Sequence, residues 1–398
     1  LILIYRCLMD IKLDYLSLES FDKDNILSFI SSLHSPKFVL VFNCLSDSFS
    51  CLEAFQECVD GLDVPFLACR CSGCITPVSV VEDGLVFVGV SGDFEVDTFD
   101  VGFDFEDLDG VSEAVLEYLG DSGTLMVFSP TRVTDAPKLN YVLDKVHAEK
   151  PGVLLWGGVS VDPHIVASNN GVFEDRLVCA YIKDADFSLN MDTGFSLDKS
   201  GKPLEVTKSD MFFISEMNGK NAEDEYCSTI HVKPYLINSV TKLVTRFDAP
   251  RTFNKMSKLS KTMYEAILKS TVKLYGYTEK NGITESVGIT GARDGKIISA
   301  INVPQGTKIY PTISDKETHL AALDRIADKH EDSEALLIAS CLLRQFYINF
   351  DFEEAKRRLD ALGKPYVLAY MGGEVGVGAN EELESIHHNC SIQVLGLK

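Results

Sequence analysis

The chain has 398 residues, of which 45% are hydrophobic and 24% charged, a composition typical of a globular protein of about two or three domains. Lys and Arg total 37 against 59 Asp and Glu, so the formal net charge is −22. An acidic surface repels nucleic-acid phosphates and anionic lipids, and we therefore expect neither as a partner. No apolar run reaches the roughly 18 residues of a membrane span, so we also expect no membrane insertion.

The eleven cysteines are scattered through apolar stretches rather than arranged as the framework of a small secreted domain. This pattern is typical of reduced, buried thiols and predicts a cytoplasmic protein. The chain opens on Leu1 rather than Met, so residues or a fused domain could precede it.

After an N-terminal extension at residues 1–35, one unit repeats three times: strand, helix, strand, Gly turn, strand. The first strands of the three units are predicted at Phe38–Phe42, Thr124–Phe128 and Ala335–Ala339. The second strands are predicted at Val64–Ala68, Gly152–Trp156 and Lys364–Ala369. The third strands, which follow the Gly turns, are predicted at Leu85–Val90, Arg176–Tyr181 and Ser391–Gly396. Short connections into the last strand favour mixed sheets covered by helices, an α/β (α+β) fold, over a purely parallel sheet.

The helical pattern, with apolar residues on one face, recurs between these strands. It predicts helices at Cys51–Val59, Val111–Leu119, Leu139–Val146, Asn221–Ile230, Lys255–Leu274 and Ala321–Lys329. Asn169-Asn170-Gly171 and Asp294-Gly295 predict hairpin turns. A Gly-, Asp- and Lys-rich stretch at 187–209 separates a predicted first domain, 36–190, from a second, 210–398.

The Gly turns are the candidate sites, because backbone without side chains can approach a ligand closely. The first turn carries Cys71 and Ser72 within a cluster of thiols that includes Cys69 and Cys74. Small residues packed under the turn, a reactive or redox thiol and a metal site are all open interpretations. No catalytic motif accompanies the thiols, so an enzyme using Cys71 or Cys74 stays an alternative.

The other two turns carry polar groups suited to binding a small molecule. In the second, Gly157 and Gly158 precede Ser160, a donor for a carboxylate, and Asp162, a carboxylate that could orient an amine. The third turn holds Gly373 and Glu374, and the next strand is preceded by His387, His388 and Asn389. A lone carboxylate in a Gly turn is unnecessary for folding, and an adjacent His-Asn pair could share a proton or a ligand with it. Capping and turn chemistry is the structural alternative, and one histidine could ligate haem.

In their order along the chain, these segments resemble the FIST family of sensory domains, which have an N-terminal and a C-terminal part. Cys71–Gly73 is similar to the family's Gly-Cys-Ser-x-x-Gly-Glu, and Trp156–Asp162 to its Phe-Gly-Gly-x-Ala-x-Asp. Glu216–Tyr226 is similar to Leu-Asn-Gly-Lys-Pro-Ala…Tyr, and Ala339–Arg344 to Phe-Ser-Cys-x-x-Arg. Gly373–Gly376 is similar to Gly-Glu-Ile-Gly, and His388-Asn389 to His-Asn-Gln-Thr. The resemblance adds Arg344 to the candidate ligand-binding residues.

The chain departs from the family pattern at two places that touch the candidate site. Its first turn is two residues shorter, and Cys74 stands where the family has Glu. Cys390-Ser391 replaces Gln-Thr after His388-Asn389.

The resemblance implies a non-catalytic sensor in signal transduction, with an amino acid or related metabolite as ligand and no obligatory cofactor. Some relatives resemble haem-based nitric-oxide sensors, so a haem-binding gas sensor is an alternative. A eukaryotic branch is fused to F-box modules. No such output module is visible in this sequence, so we expect a separate signalling protein as partner.

Overall fold

The structure is a computed structural model that describes residues 11–45, 64–132, 135–183, 185–210, 212–235, 237–238, 275–278, 284–381, 386–388 and 390–398. The predicted helices Cys51–Val59 and Lys255–Leu274, and the candidate residue Asn389, lie outside this range. The described helices are α1 (Lys23–Ser32), α2 (Leu108–Leu116), α3 (Ala136–Glu149), α4 (Ala222–Ile230), α5 (Lys316–Lys329), α6 (Leu343–Tyr347) and α7 (Phe352–Asp360).

Helices α2 and α5 begin earlier than the apolar pattern predicts, because an aspartate caps each N-terminus. The Asp107 carboxylate accepts a hydrogen bond from the Gly110 amide at 2.9 Å. At the start of α5, the Asp315 carboxylate accepts from the Thr318 amide at 2.8 Å. Such caps satisfy amides that have no partner within the helix, and they lie outside the apolar stripe that defines the predicted helices.

Three six-stranded sheets form the body of the described structure. The first contains β1 (Lys12–Leu18), β6 (Leu85–Ser91), β2 (Pro36–Asn43), β3 (Phe66–Arg70), β10 (Val166–Ser168) and β11 (Gly171–Phe173) in that order. The second contains β26 (His387–His388), β25 (Gly373–Val377), β9 (Val153–Val159), β8 (Gly123–Ser129), β12 (Arg176–Lys183) and β7 (Glu95–Gly102). The third contains β13 (Ser188–Asp192), β27 (Ile392–Leu397), β23 (Ala335–Cys341), β24 (Tyr366–Met371), β4 (Cys74–Ile75) and β5 (Val80–Val81).

The sheets confirm the mixed α/β fold and the repeated unit. Each has one parallel pair, β2 with β3, β8 with β9 and β23 with β24, flanked by antiparallel strands. We call β1, β2, β3 and β6 unit 1, β7, β8, β9 and β12 unit 2, and β13, β23, β24 and β27 unit 3. The stretch 187–209, predicted from the sequence as a boundary, contains β13, which pairs with β27 in unit 3.

Each unit passes a hairpin to another unit, which the sequence does not predict. After β3 of unit 1 the chain forms β4 and β5, which join the sheet of unit 3 through β24. Unit 3 passes β25 and β26 to unit 2 through β9. Unit 2 passes β10 and β11 to unit 1 through β3. The exchange is cyclic, so none of the three sheets is complete without a neighbouring unit.

The same backbone hydrogen bond closes each exchange. The Ser72 amide donates to the Tyr370 carbonyl at 2.9 Å, the Val161 amide to the Arg70 carbonyl at 3.0 Å, and the Gly372 amide to the Val159 carbonyl at 2.7 Å. Each unit thus supplies one donor and, two residues earlier, one acceptor: Arg70 and Ser72 in unit 1, Val159 and Val161 in unit 2, and Tyr370 and Gly372 in unit 3. The three predicted Gly turns are therefore equivalent positions of one pseudo-three-fold arrangement, which we call junctions 1, 2 and 3 after the unit that supplies the turn.

A fourth, nine-stranded sheet is inserted into unit 3, between β13 and β23. It contains β14 (Ser196–Leu197), β15 (Leu204–Asp210), β16 (Phe213–Met217), β17 (Lys220–Asn221), β18 (Tyr275–Thr278), β19 (Thr284–Val287), β20 (Ile289–Arg293), β21 (Lys296–Ser299) and β22 (Lys308–Ile313). The predicted turns at Asp294-Gly295 and Asn169–Gly171 both connect paired strands. Its own core packs beneath α4 around Tyr226 and Tyr275, whose rings meet edge to face at 5.5 Å.

The largest apolar core lies where the three units face one another. Phe128 of β8 contacts Phe42 of β2 at 6.2 Å and Trp156 of β9 at 6.3 Å between ring centroids. Leu337 of β23 belongs to the same cluster. Burial of this cluster links units 1, 2 and 3 by the hydrophobic effect in addition to the exchanged hairpins. No described helix is long and apolar enough to cross a membrane.

Candidate functional site

Junction 3 brings the second and third predicted turns together. β25 runs antiparallel to β9, so Glu374 lies directly opposite Gly158 and Gly373 opposite Val159. A Cβ on Gly158 would overlap Met371 Sδ and lie 2.9 Å from the Gly373 carbonyl oxygen. Glycine at 158 therefore allows the strand carrying Glu374 to approach β9 closely. Gly157 has a φ of 153°, in the region that favours glycine, and packs against the Val127 carbonyl.

Glu374 is a fully buried carboxyl group with one of its two oxygens satisfied. Its Oε2 accepts hydrogen bonds from the Ser391 hydroxyl at 2.8 Å and the Ser391 amide at 3.2 Å. Its Oε1 has no hydrogen-bond partner within the described part of the chain. Burial, with a smaller contribution from the nearby Cys341 thiol, raises the pKa of Glu374 well above its ordinary value. The side chain thus keeps its proton at pH values where an exposed carboxyl group is ionised.

The three junctions supply an internal comparison for this position. Cys74 at junction 1 pairs with Ala369, and Val166 at junction 2 pairs with Cys69, as Glu374 pairs with Gly158 at junction 3. The first two pairs are apolar or thiol side chains buried in the core. A carboxyl group is therefore not needed to close a junction, and its burial at junction 3 calls for another explanation.

Arg344 lies in the same interior, on the short helix α6 that follows β23. Its guanidinium is buried and donates to two backbone carbonyls, Thr193 at 2.6 Å and His319 at 2.7 Å. The charge of Asp192 acts on it from a longer distance, and Glu374 lies in the same surroundings. Arg344 and Glu374, predicted from separate motifs, are thus neighbours in one buried polar region.

A thin apolar layer separates this region from solvent. Cys341 and Cys390 are fully buried and adjacent, and Phe195, Leu343 and Tyr347 pack over them. These three covering side chains are only partly buried. The Glu374 region therefore lies about one side chain beneath the surface.

Ser72 connects junction 1 to the same helix. Its hydroxyl accepts a hydrogen bond of 2.8 Å from the side-chain amide nitrogen Nε2 of Gln345, and Gln345 follows Arg344 on α6. Cys71 points elsewhere and places its sulfur 3.2 Å from Cys44. Cys74 is also buried, and burial raises its pKa well above the ordinary value of a thiol. An enzyme using the Cys74 thiol would need this group ionised and accessible, and its environment provides neither, while Cys71 is buried as well.

The remaining residues of the second turn are split between the interior and the surface. Ser160 is buried, and its hydroxyl has no hydrogen-bond partner among the residues that the structure covers. Asp162 is exposed, and its backbone carbonyl accepts from Arg70 Nε at 2.8 Å. The predicted role of Asp162 in orienting an amine would thus require a ligand at the surface.

His388 lies across from Glu374 in the β25–β26 pair but turns to the fourth sheet. Its Nδ1 meets the Glu285 carboxyl group in a short contact, and its Nε2 donates to the Gly376 carbonyl at 3.0 Å. Because a carbonyl only accepts, Nε2 carries a hydrogen, and Nδ1 is the nitrogen that faces the Glu285 carboxyl group. Both side chains are fully buried. The pair therefore ties β19 of the fourth sheet to the exchanged hairpin of junction 3.

These contacts bear on haem and metal binding. Haem iron would need an imidazole nitrogen of His388 or His387 directed to an open space. His388 uses both nitrogens on protein acceptors, and His387 is buried against Gly373, with its pKa lowered to about 3 by burial and by the charge of His388. The two residues as arranged do not fit haem. Among the described residues, no group of three or more His, Cys, Asp or Glu side chains is placed to hold a metal ion.

Several residues of this region carried no signal that could be recognised in one sequence. Glu285 lies in a strand far along the chain from His388, and His319 lies in an ordinary amphipathic helix. Ser391 follows the His388-Asn389 motif and could have been found as its neighbour. A shallow surface cavity of about 320 Å³ lies elsewhere, between Tyr15 and Tyr366, and includes none of the predicted site residues.

Comparison with known proteins supports the N-terminal part of the resemblance. The family model of the FIST N domain matches residues 37–220. This range covers unit 2 and unit 1 without β1, and it ends at β17, so Arg344 and Glu374 lie beyond it. FIST domains are described as sensory, ligand-binding domains of signal transduction. No curated protein matches the chain.

Proposed function

We propose that this protein is a non-catalytic sensor that binds a small molecule with an ammonium group, an amino acid or a related metabolite, at Glu374. The observation that carries the proposal is the buried Glu374 carboxyl group, whose Oε1 has no partner within the described residues. The equivalent positions at junctions 1 and 2 hold Cys74 and Val166, so the fold does not demand the carboxyl group.

An ammonium group would satisfy this oxygen and replace the proton that Glu374 holds in the free protein. The carboxylic acid gives up its proton to solvent, and the carboxylate then accepts a hydrogen bond from the ammonium ion, so charge balances in the interior. Gly158, opposite Glu374, lets β25 approach β9 closely, and Ser160 offers a hydroxyl with no partner in the described structure. Entry requires displacement of the covering layer, of which Tyr347 is a partly buried member.

The proposed output is binding to a separate signalling protein, as the sensory role of FIST domains suggests. The His388–Glu285 pair gives a physical route, because it joins the Glu374 hairpin to the fourth sheet. Ligand should therefore change amide hydrogen exchange in β19 and its neighbours. Exchange that changes around Glu374 alone would contradict this route.

The test of binding is a thermal-shift screen of amino acids and related amines on protein refolded from denaturant, which removes carried-over ligand. A ligand at 100 times its Kd should add about 2.7 kcal/mol of stability and raise the midpoint accordingly. Glu374→Gln should lose the shift, while Cys74→Ala, the matched change at junction 1, should keep it. N-acetylated forms of the active compound, which have no ammonium group, should give no thermal shift. Equal shifts with acetylated compounds, or in Glu374→Gln, would contradict the proposal.

A further inference from the structure

Arg344 is a buried cation without a carboxylate in direct contact. In the described structure its guanidinium donates to neutral carbonyls, those of Thr193 and His319. No described carboxylate lies within ion-pair distance of the guanidinium, and Glu374 is held in its protonated form. A buried charge normally has a partner of opposite sign, because its transfer from water costs several kcal/mol. The interior is therefore short of one negative charge beside Arg344.

The carboxylate of Asp192, whose charge acts on Arg344, is already engaged. Asp192 accepts two hydrogen bonds from Arg325, both at 2.8 Å, and one from the Gly194 amide at 2.9 Å. Burial opposes ionisation of Asp192, but these bonds hold its pKa below the ordinary value. Its single negative charge thus compensates Arg325 first and reaches Arg344 only at longer range.

His319 supplies a second, independent sign of an incomplete site. Its imidazole is fully buried, and neither ring nitrogen has a hydrogen-bond partner in the described regions of the chain. Gly194, with a φ of 73°, allows the backbone to pass close by: a Cβ there would lie 2.9 Å from His319 Nδ1 and 3.0 Å from Arg344 Nη1. The glycine brings imidazole and guanidinium together in one corner.

This corner is close to solvent on one side. The Tyr347 ring stacks on the His319 ring with centroids 4.5 Å apart and planes at 19°. Tyr347 is itself only partly buried, so rotation of one side chain would open the corner. We infer that Arg344 and His319 form a binding site for a small monovalent carboxylate, covered by Tyr347.

The charge balance selects the chemical class. One carboxylate neutralises the one uncompensated guanidinium, and its planar oxygens match the remaining N–H groups of arginine. Phosphate, which carries more than one negative charge near neutral pH, would leave an excess of buried charge. A neutral imidazole still offers one N–H to the anion, and His319 stays neutral because burial and the charges of Arg344 and Arg325 lower its pKa to about 2.

The inference is independent of ligand binding at Glu374, and acetate is the probe that separates the two. Histidine labelled with ¹³C at Cε1 alone gives one resonance for each ring, and His319→Gln identifies the signal of His319. Titration of acetate at constant ionic strength should shift this signal with saturation. The shift should persist in Glu374→Gln, so loss of amine binding and loss of anion binding can be told apart.

Two arginine variants make the test specific. Arg344→Lys keeps the charge but not the planar donors and should weaken acetate binding at least about tenfold, the loss of one good charge-assisted hydrogen bond. Arg293→Gln removes an exposed cation of the fourth sheet and should leave saturation in place. Should Arg344→Lys fail to fold, Tyr347→Ala provides the second arm, since removing the cover should speed acetate exchange. A non-saturating shift in wild type, equal binding in Arg344→Lys, or phosphate binding as tight as acetate would overturn the inference.

Discussion

Junctions 1 and 3 close with the same backbone hydrogen bond and differ in what they bury. At junction 1, Cys74 faces Ala369 and both pack in the core. At junction 3, Glu374 faces Gly158, and its carboxyl group is buried with one oxygen unsatisfied by the described residues. Because the two share a fold, junction 1 serves as an internal control for junction 3. The difference indicates that junction 3 keeps a group that the architecture does not need.

The largest effect is expected where the hairpin of junction 3 is tied to the fourth sheet. Glu285→Ala leaves the buried His388 without its carboxylate partner and should lower the free energy of unfolding by about 3–5 kcal/mol. Urea denaturation measures this loss. The Glu285→Ala, His388→Ala double variant should lose less than the sum of the single changes, and additive losses would show that the pair is not coupled.

Gly158→Ala makes junction 3 resemble junction 1, where the facing residue is alanine. The new methyl group would overlap Met371 Sδ, so we expect a loss of about 1–3 kcal/mol in unfolding free energy. Gly102→Ala is the matched control, because a Cβ at this exposed strand end meets nothing within 4 Å. If Gly158→Ala lowered the unfolding free energy no more than Gly102→Ala, the close approach of β25 to β9 would not be required for stability.

Glu374→Gln should change how stability depends on pH. The folded protein holds a proton on Glu374 at pH values where the unfolded chain has lost it, so stability falls as pH rises above the ordinary glutamate value. The difference between wild type and Glu374→Gln should grow by up to about 1.4 kcal/mol per pH unit in favour of the variant. Denaturation between about pH 5 and pH 8 measures it.

Other groups titrate in the same range, so the difference between variants is the informative quantity. Burial raises the pKa of Asp144 to about 7, and this contribution is common to both proteins. Cys74→Ala should follow the wild-type slope, because the raised pKa of this thiol keeps it protonated throughout. If the unfolding free energies of wild type and Glu374→Gln changed with pH in parallel, Glu374 would be ionised in the folded state.

The smallest effect is expected for the hydroxyl that binds Glu374 Oε2. Ser391→Ala removes the hydroxyl's hydrogen bond of 2.8 Å to Glu374 and leaves the hydrogen bond from the residue 391 backbone amide in place. The loss of unfolding free energy should therefore be about 0.5–1.5 kcal/mol. The equivalent position in unit 1 is Gly84, since its carbonyl accepts from the Cys44 amide as the Ser391 carbonyl accepts from the Cys341 amide. Unit 1 therefore closes without a hydroxyl at this position. The same urea titration detects the loss, and an unchanged midpoint would remove Ser391 from the site.

Much of the fold followed from patterns local in sequence. The apolar strands, the turns at Asn170 and Gly295 and the helices α2 to α5 are set by periodicity and turn chemistry, and the mixed sheets are confirmed. The exchange of hairpins was not predictable, because β4 and β10 are short and pair with strands far along the chain. Short strands contain too little alternation to reveal which partner they join.

The candidate site divides in the same way. Gly158 and Glu374 were predicted from separate Gly turns, and their pairing needed the cyclic exchange. His388 was predicted to serve a ligand, but its partner Glu285 lies in an inserted sheet that the sequence does not link to it. Burial of polar groups such as His319 and Arg344 is a property of tertiary packing and leaves no local pattern.

The most direct test of the central claim is a calorimetric titration of the active amine into wild-type protein in two buffers that differ in ionisation enthalpy. If the ammonium group displaces the proton of Glu374, binding at about pH 7 should release about one proton per ligand. Glu374→Gln should bind at least about tenfold more weakly and release none, while Cys74→Ala should match wild type. Binding without proton release in wild type, or undiminished binding in Glu374→Gln, would contradict the account.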